Sequence, residues 1–174
     1  MSDKLSRRRY LAGTGAALTI GTLAGCSGGG DGGDGSDGGD GGDGSGGGNA
    51  ADDVPDEIDE YLSDARMYEG TIMDFTGQDE VTVQVGAGDV GFAFSPAAIR
   101  IDSSTTVVWE WTGTGGAHNV ASVEASESDF NSGDAVSEEG TTFEQSFDNT
   151  GIQLYQCTPH QANGMLGAIE VVEA

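Results

Sequence analysis

Residues 105–112 read TTVVWEWT. Val107, Trp109 and Trp111 fall on alternate positions, which turns one apolar face of a strand toward a core. The same alternation recurs outward from this segment. EVTVQV, residues 80–85, sets Val81, Val83 and Val85 on one side. GFAFSP (91–96), AAIRI (97–101), AHNVASV (117–123), TTFEQSF (141–147), GIQLYQC (151–157) and LGAIEVV (166–172) read as further short strands separated by Gly, Ser, Asp and Asn turns. One helix precedes them. DDVPDEIDEYLSDA, residues 52–65, has acids in its first turn, Pro55 near its start, and Ile58, Tyr61 and Leu62 at helical spacing. About eight short strands with no second helical period predict an all-β, antiparallel β-sandwich or barrel. Its core is expected to hold Val81, Val83, Phe92, Phe94, Ile101, Val107, Trp109, Phe143, Phe147, Leu154 and Ile169.

QCTPHQANGM, residues 156–165, is the segment that carries chemistry. A chain with two Cys, two His and four Met places one of each within nine residues. Composition alone gives this spacing a chance on the order of 3 in 10,000 per cysteine. Cys157 ends one strand, Met165 begins the next, and His160 lies in the turn marked by Pro159 and Gly164. The other histidine, His118, opens a strand some forty residues earlier. In a sandwich, strand ends from distant segments meet at one pole, which would unite a thiolate, two imidazoles and a thioether. Two His and one Cys in a trigonal plane with a long axial Met sulfur suit copper in either oxidation state. Zinc prefers four strong ligands, and a thioether is a weak one. With four protein ligands and no open position, such a site is expected to pass electrons rather than turn over a substrate. Met67 and Met73 show no partners in the sequence and read as packing residues, as do Trp109 and Trp111.

The first fifty residues give the address. SRRRYL (6–11), then a short apolar stretch of small residues, then Cys26, read as an export signal over 1–25 of the twin-arginine type. The apolar run is about fifteen residues, short of the 18 or more needed to span a bilayer. LAGC, residues 23–26, resembles a lipobox, which implies a lipid on Cys26. Residues 27–48 contain no apolar side chain to bury and read as a disordered Gly/Asp/Ser tether of roughly 25 Å. The expected organisation is therefore signal 1–25, lipidated Cys and linker 26–51, and a folded domain 52–174. Cys157 is left as a lone thiol in an oxidising compartment, hazardous unless something occupies it.

The chain has 30 acids and six Lys or Arg. Only Asp3, Lys4, Arg7, Arg8 and Arg9 precede Cys26, so the remainder sets 29 acids against Arg66 and Arg100, a formal charge of −27. Nucleic acid and anionic lipid are poor partners for such a surface, and no nucleic-acid partner is expected. The acids are spread along the whole chain, as suits a protein working in molar salt, where the Debye length is about 3 Å.

AHNV together with CTPHQANGM resembles the plastocyanin-like cupredoxins, small blue copper proteins whose last loop runs Cys-x₂-His-x₄-Met. The likeness extends over residues 55–172, including DEYLSDA, GFAFSPAAIRI and WEWTGTGGAHNV, and is strongest to lipid-anchored members from halophilic archaea. It implies a Greek-key sandwich in which His118, Cys157, His160 and Met165 bind one copper ion. It also implies that Asn119 pins the two ligand loops together near the Cys sulfur. Electrons would leave through His160 in a small apolar patch of Pro159, Ala162 and Leu166, with Ala117 beside it. Plastocyanins carry a tyrosine just before the ligand Cys, on a lateral electron route. Gln156 stands there, and Tyr155, on the face of Cys157, is expected to point inward. The function implied is one-electron transfer at the outer face of the cell membrane, by a monomer meeting redox partners of a respiratory chain transiently. Copper storage or delivery, and a metal-free β-sandwich surface module, are the alternatives. A copper enzyme of this fold needs further His-rich sites, and no third His exists.

Overall fold

Branched and aromatic residues at alternate positions build two sheets in the computed structural model, which describes residues 47–174. The expected export signal, Cys26 and most of the expected linker lie outside the described residues. The strands are β1 (Asn49–Ala51), β2 (Ile72–Asp74), β3 (Glu80–Ala87), β4 (Ala93–Ser95), β5 (Ala98–Asp102), β6 (Thr106–Trp111), β7 (Ala121–Ser122), β8 (Thr142–Ser146), β9 (Gly151–Gln156) and β10 (Leu166–Val172). One sheet runs β1-β2-β5-β10-β9-β7 and the other β4-β3-β6-β8. Helix α1 is Asp56–Leu62, and a 3₁₀ helix, Thr158–Asn163, follows β9.

The two-sheet sandwich is the architecture expected, with mixed rather than purely antiparallel pairing. β3 with β6, β5 with β10 and β2 with β5 are parallel. Strands such as β5 and β6 follow one another in opposite sheets, so the parallel neighbours within a sheet are reached by way of the other. Alternation sets which face a residue takes; it is silent on which strand lies alongside. The folded unit also begins earlier than residue 52, because β1 already pairs with β2.

Two apolar clusters hold the sheets. Between them pack Val81, Val83, Val85, Phe94, Ile101, Val107, Trp109, Trp111, Phe147 and Ile169, with Cys157 and Met165 at one end. Tyr155 is buried in this layer, as its alternation with Cys157 requires. Trp109 meets Tyr155 edge-on, with ring centres 5.4 Å apart. On the opposite face of the first sheet a second cluster joins Ile58 and Leu62 of α1 to Ile72, Ala98, Leu154 and Ala168. Leu154 is therefore core, but of the outer layer. Phe143 is only partly buried. Met67, expected to pack, is 55% exposed, whereas Met73 does pack against the inner cluster.

The helix ends up over β9 and β10, the strands that deliver Cys157 and Met165. Asp56, Glu57 and Asp59 sit in its first turn, where backbone N–H groups favour negative charge. The Tyr61 hydroxyl donates to the Tyr155 carbonyl at 3.0 Å. Beside it Arg100 on β5 gathers Glu170 of β10 at 2.6 Å, Asp53 at 3.3 Å and Asp74 at 3.7 Å.

Candidate metal centre

His118 reaches the pole of the sandwich from the loop after β6, and its backbone is fixed on both sides. It exchanges two hydrogen bonds with Val136, at 2.8 and 2.9 Å, and its carbonyl also accepts the Trp111 indole N–H at 3.1 Å. The ring is just as constrained. Nε2 lies 2.8 Å from the Thr114 carbonyl, which can only accept, so Nε2 carries the proton and Nδ1 presents a bare lone pair. Gly86 makes room for this bond. A Cβ there would stand 2.6 Å from the Thr114 oxygen and 3.3 Å from His118 Nε2, and φ is +88°.

Cys157 follows the last residue of β9, and the 3₁₀ turn carries His160 back over it. Gly164 closes the turn in the left-handed region, φ +80°, where an L side chain is strained. The Cys157 amide donates to the Met165 carbonyl at 3.0 Å, and the Met165 amide to the His160 carbonyl at 3.3 Å. The three ligand residues of this loop are thus hydrogen-bonded to one another through the backbone.

The donors converge. Cys157 Sγ is 3.6 Å from His118 Nδ1 and 3.5 Å from His160 Nδ1, and the two Nδ1 atoms are 3.0 Å apart. A point equidistant from all three lies about 2.0 Å from each, close to metal–imidazole bonds of about 2.0–2.1 Å and short of metal–thiolate bonds near 2.3 Å. Cys157 and Met165 are fully buried and His118 nearly so, while His160 is half-buried. Among the described residues this is the one group of three or more His, Cys, Asp or Glu able to hold an ion. Lone pairs aimed at one another in a buried space are brought together by a cation. Two imidazoles and a thiol that meet here, with Met165 in the same inner cluster as Cys157, fit copper by softness and number.

Burial sets the protonation of the bare ligands. It pushes the Cys157 thiol up, against the opposing pull of the Asn119 and His160 backbone amides. It pushes His118 down, helped by His160 facing it and opposed by the Thr114 carbonyl. Neutral imidazole is the form that binds metal, and a cation at the centre reverses the penalty on the thiolate.

Asn119 bonds across to the loop that follows Cys157. Its side-chain oxygen accepts the Thr158 N–H at 2.8 Å, and its Nδ2 donates to the Thr158 hydroxyl at 3.2 Å and the Gly133 carbonyl at 3.4 Å. The His118 and Cys157 loops are joined by this one side chain. Pro159 and Ala162, in the same turn as His160, and Ala117, next to His118, are exposed. Leu166 is not with them: it is half-buried against the α1 cluster. The aromatic that does face the ligand is Phe92, expected in the core. It is half-buried and stacks on the His160 ring at 4.4 Å between centres. Thr114 is also missed by sequence reasoning; its only signal is the glycine-rich turn GTGG ahead of His118.

Residues 80–172 match the family model for copper binding proteins of the plastocyanin/azurin family. The chain is 58% identical to halocyanin of Natronomonas pharaonis over 170 residues, 96% of this chain and 98% of that protein. It is 33% identical to a plastocyanin of Scenedesmus fuscus over 98 residues, covering 53% of this chain and 99% of the relative. Among solved structures, oxidised plastocyanin of the fern Dryopteris crassirhizoma aligns at 24% identity and a TM-score of 0.44, over 52% of this chain and 99% of that one.

Proposed function

Because the chain belongs to the plastocyanin/azurin family of copper binding proteins, its one type 1 copper ion held by His118, Cys157, His160 and Met165, we propose that it carries single electrons at the outer face of a cell membrane. The observation that supports this most is the closed, buried meeting of His118, Cys157 and His160 with His160 alone half-exposed. Copper, when bound, supplies a one-electron couple between Cu(I) and Cu(II). The chain's residues do the rest. Thr114 holds the His118 tautomer, Asn119 ties the two loops, and the buried surround excludes water and substrate. A rigid donor set that suits both oxidation states needs little rearrangement when the charge changes.

The way out is through His160. Phe92 covers one face of its ring, and exposed Pro159, Ala162 and Ala117 complete a small apolar patch, of a size suited to brief encounters with redox proteins of a membrane chain. Buried Tyr155 and the amide side chain of Gln156 offer no lateral exit. Tethering through a lipid on Cys26 would keep the carrier at the membrane. Replacing Cys26 by Ser is expected to release the protein to the medium, as cell fractionation would show.

The decisive experiment is reconstitution with Cu(II) in high salt. An intense thiolate-to-copper absorption and a reversible one-electron wave are expected. A metal store would release copper readily and show no reversible wave. A blue spectrum that survives Cys157→Ser would refute the assignment.

A further inference from the structure

After Cys26 the chain keeps only two cations, and both fasten the segment that precedes the family-matched residues onto the sandwich. Arg100 joins Asp53 and Asp74 to Glu170. Arg66, in the turn after α1, acts at the other end of that segment, on the metal loop itself. Its backbone N–H donates to the Gly164 carbonyl at 2.9 Å, and its guanidinium Nε donates to the Asn163 carbonyl at 2.8 Å. These carbonyls sit at the close of the 3₁₀ turn, where backbone acceptors lack partners within the helix. Contact is tight at the next position too. A Cβ on Gly164 would run into the Asp64 carbonyl. Met165 is the residue that follows.

We propose that Arg66 is a positioning residue for the copper centre: with the Asp64–Arg66 turn it holds Asn163 and Gly164 so that Met165 keeps a fixed place beside the His118, Cys157 and His160 donors. The inference rests on the copper reading above. An axial thioether is a weak, long ligand, so it cannot by itself fix the loop that carries it. The three strong donors lie on or before His160; beyond it the loop has its own backbone bonds, from Gly164 to Gln161 and from Met165 to His160, and the Arg66 bonds add a restraint from outside the loop. α1 supplies it, anchored by Ile58 and Leu62 in the outer cluster and by the Tyr61 bond to β9.

The test uses the copper-loaded protein in high salt, with Arg66→Ala, Arg66→Lys and Arg100→Met. Reduction potential, visible spectrum, copper loss to a chelator and thermal midpoint are measured for each. Arg66→Ala is expected to shift the potential and the ratio of the visible bands, and to lose copper about five-fold faster, the effect of one hydrogen bond. Arg100→Met is expected to lower the thermal midpoint with potential and spectrum unmoved, which separates positioning from general support. Should Arg66→Ala not fold, Arg66→Lys keeps the charge and the backbone bond, loses the guanidinium geometry, and carries the same readouts. The proposal is overturned if the Arg66 variant that folds matches the wild type in potential, spectrum and copper loss, or if Arg100→Met shifts them equally. A wild-type protein without the thiolate band would instead remove the copper reading itself.

Discussion

The donors at the metal centre are held in part by groups that do not themselves bind metal, and those groups are where single substitutions should be most informative. Asn119→Ala removes three hydrogen bonds, two of which join the two ligand loops. At about 1 kcal/mol each with partial compensation, a stability loss of about 2 kcal/mol is expected, together with faster copper loss; denaturant titration of the apoprotein and chelator kinetics of the loaded form check both. Gly86→Ala places a methyl against Thr114 and His118 at a positive φ, and should cost about 1–3 kcal/mol while displacing the imidazole. An altered blue spectrum would report the displacement. Acid acts on the ligands directly. Copper must displace a proton from Cys157, whose thiol burial pushes up, and competes with protons for His118, which burial pushes down. Affinity measured by competition should therefore fall as pH drops, mainly through the thiol. The two histidines and Cys157 could be named from spacing and softness. Thr114, Gly86 and Phe92 could not, because each acts through a contact with a residue distant in the chain or through a backbone shape.

At the scale of elements, the helix explains why the segment before the family-matched region belongs to the domain. α1 buries Ile58 and Leu62 completely against β9 and β10. Leu62→Ala should destabilise by about 2–5 kcal/mol, read from the unfolding midpoint in high salt. The helix itself was legible from Ile58, Tyr61 and Leu62. Its docking site was not, since Ala98, Leu154 and Ala168 show only as the minor face of their strands. β1 and β2 escaped notice as well. Three residues each, they are too short for alternation to register, and pairing, β1 with β2 and β2 with β5, is what makes them strands. Asp74 at the end of β2 is held below the usual carboxylate range, first by the Thr76 backbone N–H and then by the Thr76 hydroxyl and Arg100, against partial desolvation. A depressed folded value means its stabilising contribution is whole above the ordinary value of 3.8 and fades as pH falls below it. Asp74→Asn should flatten part of the acid-side loss of stability in that window, in denaturant titrations from neutral pH downward.

For the whole molecule the dominant fact is charge. With 29 acids against Arg66 and Arg100 beyond Cys26, both cations are already engaged in holding the N-terminal segment, and the remaining acids repel one another. The thermal midpoint should climb steeply between 0.1 M and molar salt, where the Debye length shortens from about 10 Å to about 3 Å. A midpoint independent of salt would contradict that reading of the composition. Charge, the export-like start, the strand periodicity of residues 80–172 and the Cys-x₂-His-x₄-Met spacing were all determined by sequence, because each is a local or additive property. Which strands became parallel neighbours, that Leu166 turned under α1 while Phe92 turned onto His160, and that Arg66 came to rest on the metal loop were decided by the tertiary structure. Those contacts join residues tens of positions apart, and close packing of two sheets and a helix, rather than any pattern along the chain, determines which of them meet.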